Sequence, residues 1–114
     1  LHILNALRKF TPCTAKIKAG SWSPPPQGRE LDGKTVGLLG FGNIAKHLAR
    51  MLSGFQVKIL TFDPYVTDVS AFPNVTLVSS REELFEKSDI VSLHIPCTPE
   101  TRDSINKKLF DLMK

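Results

Sequence analysis

The feature that most constrains the fold is a pair of closely spaced glycines between an apolar run and an amphipathic stretch. The run Thr35–Leu39 is typical of a strand buried on both faces of a parallel sheet. Gly40, Gly42 and Ala45 follow it in the pattern G-x-G-x-x-[GA], and residues 43–53 carry apolar side chains at helical spacing. Gly40 permits a tight turn, Gly42 lets the backbone approach a ligand, and Ala45 lets the helix pack closely on the strand. The pattern therefore predicts a strand, a tight turn and a helix in direct succession.

An acidic residue ends the next predicted strand and gives the glycine pattern a chemical meaning. The strand covers residues 57–62, and Asp63 comes directly after it. Asp63 lies 18 positions beyond Ala45, close to the interval of about 20 residues that dinucleotide-binding folds use. A helix N-terminus favours an anion such as a pyrophosphate, and the Asp63 carboxylate can accept hydrogen bonds from ribose hydroxyls. That carboxylate would repel a 2′-phosphate, and Pro64 and Tyr65 rather than a basic residue come next. The pattern thus indicates a dinucleotide site that prefers NAD to NADP; the plainer alternative is a tight turn and a capped strand without a ligand.

The rest of the chain after residue 33 alternates strands with helices, which predicts a mainly parallel sheet with right-handed crossovers. We expect an α/β, Rossmann-type doubly wound parallel sheet, partial, with strand order 3-2-1-4. Ser79 or Ser80, with Glu82 or Glu83 three residues later, forms a capping box for a helix near Arg81–Lys87. Further strands are predicted over residues 75–78 and 90–95, and a last helix over residues 106–113. The apolar stripe of the helix after the glycines is predicted to consist of Ile44, Ala45, Leu48, Met51 and Leu52.

The pattern of apolar residues, prolines and glycines differs between residues 1–33 and residues 34–114. Apolar spacing over residues 1–10 indicates the end of an amphipathic helix, which we expect to stop at Thr11 and Pro12. An irregular, proline-rich connector with Pro24–Pro26 should follow. We therefore divide the chain into a connector helix and linker, residues 1–33, and the N-terminal part of a nucleotide-binding domain, residues 34–114.

Composition excludes several classes of function. The chain has 15 Lys and Arg against 11 Asp and Glu, a net charge of +4, but the basic residues are scattered, so we expect no nucleic-acid partner. The longest uncharged run, residues 69–80, is shorter than the roughly 20 residues that cross a bilayer. The first residues lack a basic leader before an apolar stretch, so no secretory signal is expected. Cys13 and Cys97 have no metal-ligand spacing, and two reduced thiols favour a cytoplasmic protein with no metal.

Three stretches resemble the cofactor domain of the D-isomer-specific 2-hydroxyacid dehydrogenases. They are residues 30–42 (ELDGKTVGLLGFG), residues 62–64 (FDP) and residues 88–101 (SDIVSLHIPCTPET). The last is the most specific, because a generic dinucleotide fold does not require a strand that ends in His-x-Pro-x-Thr-x-x-Thr. Residues 1–28, with Gly20-Ser21-Trp22, resemble the helix and connector that lead into this domain in the family.

The resemblance implies roles for individual residues. Asn43 and Ile44 would offer backbone N–H groups to the pyrophosphate, and Asp63 would bind the adenosine ribose. His94, Ile95 and Pro96 would line the adenine and ribose side of the crevice, at the topological switch point. Thr101 would lie near the pyrophosphate or the nicotinamide ribose. The cofactor-binding candidates are Gly40, Phe41, Gly42, Asn43, Ile44, Asp63, Pro64, His94, Ile95, Pro96 and Thr101.

The resemblance places no catalytic residue within the chain. In the family the catalytic Arg, Glu and His lie C-terminal to the matched region, beyond Lys114. His94 is not a substitute, because a lone histidine at a strand end is more often a pocket residue than a general base. We expect the parent protein to transfer hydride between NAD(H) and a 2-hydroxy or 2-oxo acid, and this part alone to bind NAD without turnover.

Two other functions and an assembly remain open at this point. The fold could serve an NAD-responsive regulatory module of the co-repressor type, since fold alone does not determine function. It could also bind S-adenosylmethionine or an adenylate, because Asp63 suits any ribose, although residues 94–101 argue against this. In the family the connector contributes to a dimer interface, so a homodimer is expected, with Trp22 buried against its partner; the alternative is a Trp22 packed on its own domain.

Overall fold

The computed structural model describes residues 1–22 and 27–114, and the chain forms two compact units, Leu1–Asp32 and Gly33–Lys114. The predicted proline-rich linker, Pro24–Pro26, lies outside the described residues. Among the residues that are described, the helices are all too short or too polar to cross a membrane.

The first unit contains two short helices, α1 (His2–Leu7) and α2 (Phe10–Lys18). The expectation that helical structure stops at Pro12 is wrong, because α2 runs through this residue. Pro12 lies in the first turn of α2, where a backbone N–H has no intrahelical acceptor to lose. The first bond of α2 is made one residue later, from the Cys13 N–H to the Lys9 carbonyl at 3.2 Å. The helical structure is interrupted before Phe10 instead, because Lys9 adopts a left-handed conformation with a φ of 51°.

The second unit is a four-stranded parallel sheet with helices in two of its three crossovers. The order of strands in the sheet is β3-β2-β1-β4, and every pair is parallel, which confirms the predicted α/β topology. In chain order its elements are β1 (Thr35–Leu39), α3 (Asn43–Leu52), β2 (Lys58–Phe62), β3 (Val75–Leu77), α4 (Arg81–Lys87), β4 (Ile90–Leu93) and α5 (Lys107–Phe110).

The central strand β1 carries the core. Its residues from Val36 to Leu39 are buried, as expected for a strand with neighbours on both sides. Leu39 joins a cluster with Leu84 and Phe85 of α4 and Leu109 of α5. This cluster packs the last residue of β1 against α4 and α5.

The register of the sheet aligns the carboxyl ends of three strands. Leu39 is paired with Phe62 on one side and with Leu93 on the other. The Gly40 N–H donates to the Phe62 carbonyl at 2.8 Å, and the His94 N–H donates to the Leu39 carbonyl at 2.7 Å. Gly40, Asp63 and His94, which directly follow these strands, therefore lie side by side at one edge.

The buried face of α3 differs from the predicted stripe. Ala45 and Leu52 are buried, as expected, together with Ala49. Ile44 and Met51, which were assigned to the stripe, are 74% and 67% exposed. The buried face of α3 is thus formed by Ala45, Ala49 and Leu52, and the larger Ile44 and Met51 lie on its exposed side.

The N-terminus of α4 has the predicted capping box. Ser80 is the N-cap residue, and its hydroxyl accepts a hydrogen bond from the Glu83 N–H at 3.1 Å. The Glu83 carboxylate reaches back to Ser79, accepting from its N–H at 2.8 Å and from its hydroxyl at 2.7 Å. The serine half of the box is therefore as predicted, whereas the carboxylate of Glu83 bonds to the residue before the N-cap instead of to the N-cap N–H.

Candidate functional site

A cleft of about 390 Å³ opens where β1, β2 and β4 end. Most of the predicted cofactor-binding residues line it: Gly40, Gly42, Asp63, Pro64, His94, Ile95, Pro96 and Thr101. It is also lined by Tyr65, Arg81, Thr98 and Glu100, which the sequence analysis did not select. The position agrees with the general rule that open parallel sheets bind ligands beyond the carboxyl ends of their strands.

The two glycines of the turn serve different needs. Gly40 has a φ of 89°, and a Cβ built on it would lie 2.9 Å from the His94 carbonyl oxygen. The close approach of β4 therefore requires glycine at this position. Gly42 has a φ of −75°, and a Cβ built there would meet nothing within 4 Å. The described residues give no reason for a glycine at position 42, so the open space in front of it is suited to a ligand that approaches the backbone.

Asp63 is held in place by two backbone amides. One carboxylate oxygen, Oδ2, accepts from the Phe41 N–H at 2.8 Å, and the other, Oδ1, accepts from the Tyr65 N–H at 2.9 Å. Asp63 therefore closes the glycine turn as well as facing the cleft, a structural role that the sequence did not indicate. Each oxygen of a carboxylate has a second acceptor site, so the fixed group can still bind two hydroxyls.

The Phe41 side chain does not line the cleft. It is 1% exposed and meets Phe72 edge to face, with ring centroids 5.2 Å apart. The Arg50 guanidinium lies over the Phe72 ring at 5.1 Å. Phe41 thus anchors the turn from below, while its N–H orients Asp63.

Asn43 and Ile44 form the first turn of α3 and are both exposed. The first N–H groups of a helix have no intrahelical acceptor, and the N-cap of α3, Gly42, offers no side chain to satisfy them. The amides beside the cleft are therefore available to an external acceptor, and the helix dipole favours one that is negatively charged.

His94 lies in the wall of the cleft. Burial lowers the pKa of its imidazole below the ordinary 6.5, so the ring is neutral at pH 7. Its Nε2 atom is buried and has no hydrogen-bond partner among residues 1–22 and 27–114. A general base needs a partner that orients it, so this environment agrees with the interpretation of His94 as a pocket residue.

Thr101 shapes the loop after β4. Its hydroxyl accepts from the Thr98 N–H at 2.7 Å and donates to the Pro96 carbonyl at 2.5 Å. The Thr-x-x-Thr segment is thus a closed turn that holds Pro96 and Thr98 against the cleft. The Thr101 hydroxyl is engaged within the loop, and the residue lines the cleft.

Arg81 is the residue in the cleft that sequence reasoning missed most clearly. It is the first residue of α4, far from Asp63 in the chain, and it reaches the cleft because β3 lies beside β2. A local signal was present: a cation in the first turn of a helix opposes the dipole, which is a small cost that invites an explanation.

The fold and the cleft define a dinucleotide-binding α/β domain. A family model, the D-isomer specific 2-hydroxyacid dehydrogenase, NAD binding domain, matches the whole of this chain, residues 1–114. The chain belongs to this family, which confirms the predicted resemblance and the nicotinamide dinucleotide cofactor. The open space at Gly42, the free first-turn amides of α3 and the fixed carboxylate of Asp63 fit that cofactor.

Individual relatives agree with the family match. The chain is 40% identical over 119 residues to a glyoxylate reductase from Thermofilum pendens, covering 98% of this chain and 35% of that protein. Among solved structures it is similar to D-2-hydroxyisocaproate dehydrogenase, with a TM-score of 0.89 and 33% identity over 98% of this chain and 34% of that one. It is also similar to an acyclic imino acid reductase in complex with NADPH and D-Arg, with a TM-score of 0.88 and 31% identity over 98% of this chain and 36% of that one.

The chain spans about a third of the length of these relatives. They are named as reductases and dehydrogenases, and no finding favours the alternative of a regulatory module.

Proposed function

We propose that the cleft binds the adenosine half of NAD. The observation that carries this proposal is the arrangement around Asp63: a carboxylate fixed by two backbone amides faces a cleft in which Gly42 leaves the backbone open. Asp63 accepts hydrogen bonds from the ribose hydroxyls, and the first-turn amides at Asn43 and Ile44 bind the pyrophosphate.

The remaining predicted residues build the walls of this site. We assign His94, Ile95 and Pro96 to the adenine side, and Pro64, next to Asp63, also lines the cleft. Gly40 and Phe41 hold the turn in shape, and Thr101 holds the loop that carries Pro96. The neutral imidazole of His94 presents no charge to the base, so we assign it a lining role and no proton transfer.

For the whole protein we propose an NAD-dependent oxidoreductase that acts on a small 2-hydroxy or 2-oxo acid. Support comes from the family and from relatives named glyoxylate reductase and D-2-hydroxyisocaproate dehydrogenase. The bound nicotinamide supplies the hydride chemistry. The residues of this chain bind and orient the cofactor, and we place the acid–base and carboxylate-binding groups outside residues 1–114.

Calorimetric titration with NADH and, separately, NADPH tests the binding proposal. We expect saturable NADH binding that is tighter than NADPH binding, because the Asp63 carboxylate repels a 2′-phosphate. Asp63→Ala should lose that preference. A folded protein, by circular dichroism, that binds neither nucleotide would refute the assignment of the cleft.

Gly42→Ala tests the backbone side of the same site. The added methyl group meets nothing within 4 Å in the described part of the chain, so the fold should persist, while the approach of the pyrophosphate to the backbone is blocked. We expect NADH affinity to fall by about tenfold or more, a loss of at least about 1.4 kcal/mol of binding free energy. Unchanged affinity would show that the ligand does not approach Gly42.

We also propose that the protein is a cytoplasmic homodimer. Trp22 is 90% exposed, and none of the side chains of α1 and α2 is buried. Cys13 and Cys97 are free thiols, which suits a reducing compartment. The molecular mass in solution should be that of a dimer for the wild type and shift toward the monomer for Trp22→Ala; two monomeric species would contradict the dimer.

A further inference from the structure

The cleft contains a basic side chain with no ionic partner. Arg81 lines the same cavity as Asp63 and is partly buried. The ion pairs found across residues 1–22 and 27–114 join Arg8 to Glu30, Lys87 to Glu83 and Lys107 to Asp111, and none involves Arg81. Its guanidinium is therefore a donor without an acceptor in the described part of the chain.

The topology explains how Arg81 comes to lie near Asp63. Thr61 of β2 is paired with Leu77 of β3, and the Val78 N–H extends this ladder to the Thr61 carbonyl at 2.9 Å. Asp63 follows β2, and Arg81 follows β3 after a short connection through the N-cap residue Ser80. The two side chains thus enter the cleft from neighbouring strand ends.

This position is unfavourable for an arginine unless it has a function there. The N-terminal end of a helix carries partial positive charge, which repels a cation. The described part of the chain also offers this guanidinium no carboxylate at ion-pair distance. An anionic ligand in the cleft would supply the missing counter-charge and offset the repulsion from the helix end.

We propose that Arg81 forms a subsite for the 2′-phosphate of NADP(H), held in check by the carboxylate of Asp63. This inference rests on the proposed function, because it requires the adenosine ribose to lie at Asp63. A guanidinium offers a planar pair of donors that matches a phosphate, and the adjacent carboxylate repels the same group. Cofactor choice is then set by two opposed charges on different elements, and the absence of a basic residue directly after Asp63 does not decide it.

The test compares four forms of the purified protein by titration with NADH and NADPH: wild type, Asp63→Asn, Arg81→Gln and the double variant. Asn is used because its carbonyl oxygen can still accept the Phe41 N–H that closes the turn. We expect Asp63→Asn to bind NADPH at least about tenfold more tightly than the wild type does. The double variant should lose that gain by about ten- to hundredfold. Arg81→Gln alone should leave the NADH affinity within about threefold.

Two controls separate a direct role from a structural one. Lys58→Gln, placed in the Asp63→Asn background, removes the same charge from the exposed start of β2, the end of the strand opposite Asp63, and should leave NADPH affinity unchanged. Arg81→Lys keeps the charge but not the planar fork, so it should retain only part of the NADPH gain. A general loss of fold would lower the affinities for NADH and NADPH equally. The subsite predicts a loss of affinity only for NADPH, which carries the 2′-phosphate.

The outcomes distinguish this inference from the proposed function. If the wild type binds NADH and Asp63→Asn reduces that binding, but NADPH affinity is the same with and without Arg81, the subsite is refuted and the proposed function stands. If folded wild-type protein binds neither nucleotide, both are refuted. If NADPH binding depends on Arg81 only once the Asp63 carboxylate has been removed, the result supports the opposed action of Arg81 and Asp63.

Discussion

At the scale of single residues, the middle of β1 shows how closely this fold is packed. A Cβ built on Gly37 would overlap the Ser88 hydroxyl and lie 3.2 Å from Leu84 Cγ. The Ser88 hydroxyl is itself buried and has no hydrogen-bond partner in the described residues. Gly37 is therefore needed for space, and the hydroxyl opposite it is an unsatisfied group.

Substitutions at these two positions should act in opposite directions. We expect Gly37→Ala to lower the free energy of unfolding by about 1–3 kcal/mol, because the added methyl group overpacks the contact with α4. Ser88→Ala should be neutral or stabilising by up to about 1 kcal/mol, because it removes a buried hydroxyl that has no partner. Urea denaturation measures both. Equal destabilisation by the two variants would contradict this account of the contact.

The residue scale is also where sequence reasoning reached its limit. Asp63 was identified from its place after a strand, but its bonds to Phe41 and Tyr65 depend on the shape of the turn. Arg81 was overlooked because its closeness to Asp63 arises from the pairing of β2 with β3, which no local pattern encodes. A local sequence pattern can identify a residue with suitable chemistry. Which residues meet in a cleft depends on the order of the strands in the sheet.

At the scale of elements, α4 is stabilised by charge as well as by its cap. Lys87 donates to the Glu83 carboxylate at 2.6 Å, and Ser79 donates to it from both its hydroxyl and its N–H. These bonds, led by the one from Lys87, lower the pKa of Glu83 from 4.5 to about 2. The cap should therefore weaken in acid.

The sign of the pH dependence follows from that shift. A carboxyl group whose pKa is lower in the folded state stabilises the fold above its unfolded pKa, and the stabilisation is lost as the pH falls. The contribution of Glu83 should be complete above about pH 4.5 and disappear as the pH approaches 2. Thermal unfolding between pH 2 and 7 should show a shallower decline for Glu83→Gln than for the wild type. Parallel curves would contradict the role of Glu83.

A second variant tests the other half of the same cap. Ser80→Ala removes the acceptor of the Glu83 N–H and should cost about 1 kcal/mol at neutral pH. Glu82→Gln, on the exposed side of the same turn, is the control for the charge that Glu83→Gln removes. If it flattened the pH dependence as much as Glu83→Gln, the effect would come from helix charge; an unchanged stability of Ser80→Ala would contradict the capping role of Ser80.

Elements with strong local signals were predicted closely, and those decided by packing were not. The bounds of β1 and α4 agree with the prediction, because a buried apolar run and a capping box are both encoded locally. Pro12 was misjudged because its effect depends on its position within a helix, and that position depended on where Lys9 breaks the chain. Ile44 and Met51 were assigned to the core because hydrophobic spacing alone does not show which side of the helix is buried.

At the scale of the whole molecule, cofactor binding and folding are linked. A ligand that binds only the folded state at 100 times its Kd stabilises it by about 2.7 kcal/mol. For a domain of this size, that corresponds to a rise in Tm of roughly 10 °C or more. We expect this rise with NADH for the wild type, and a clearly smaller one for Gly42→Ala at the same NADH concentration. Scanning calorimetry measures both, and equal rises would indicate that the stabilising nucleotide binds elsewhere.

The difference between Gly40 and Gly42 also has a consequence for descent. The two letters look equivalent in the motif, but Gly40 accommodates the backbone of β4, whereas Gly42 faces open space. A descendant that lost nucleotide binding would still need glycine at position 40 for its own backbone packing, whereas position 42 could accept other residues. The residue at position 42 would therefore show whether a related protein has lost its nucleotide.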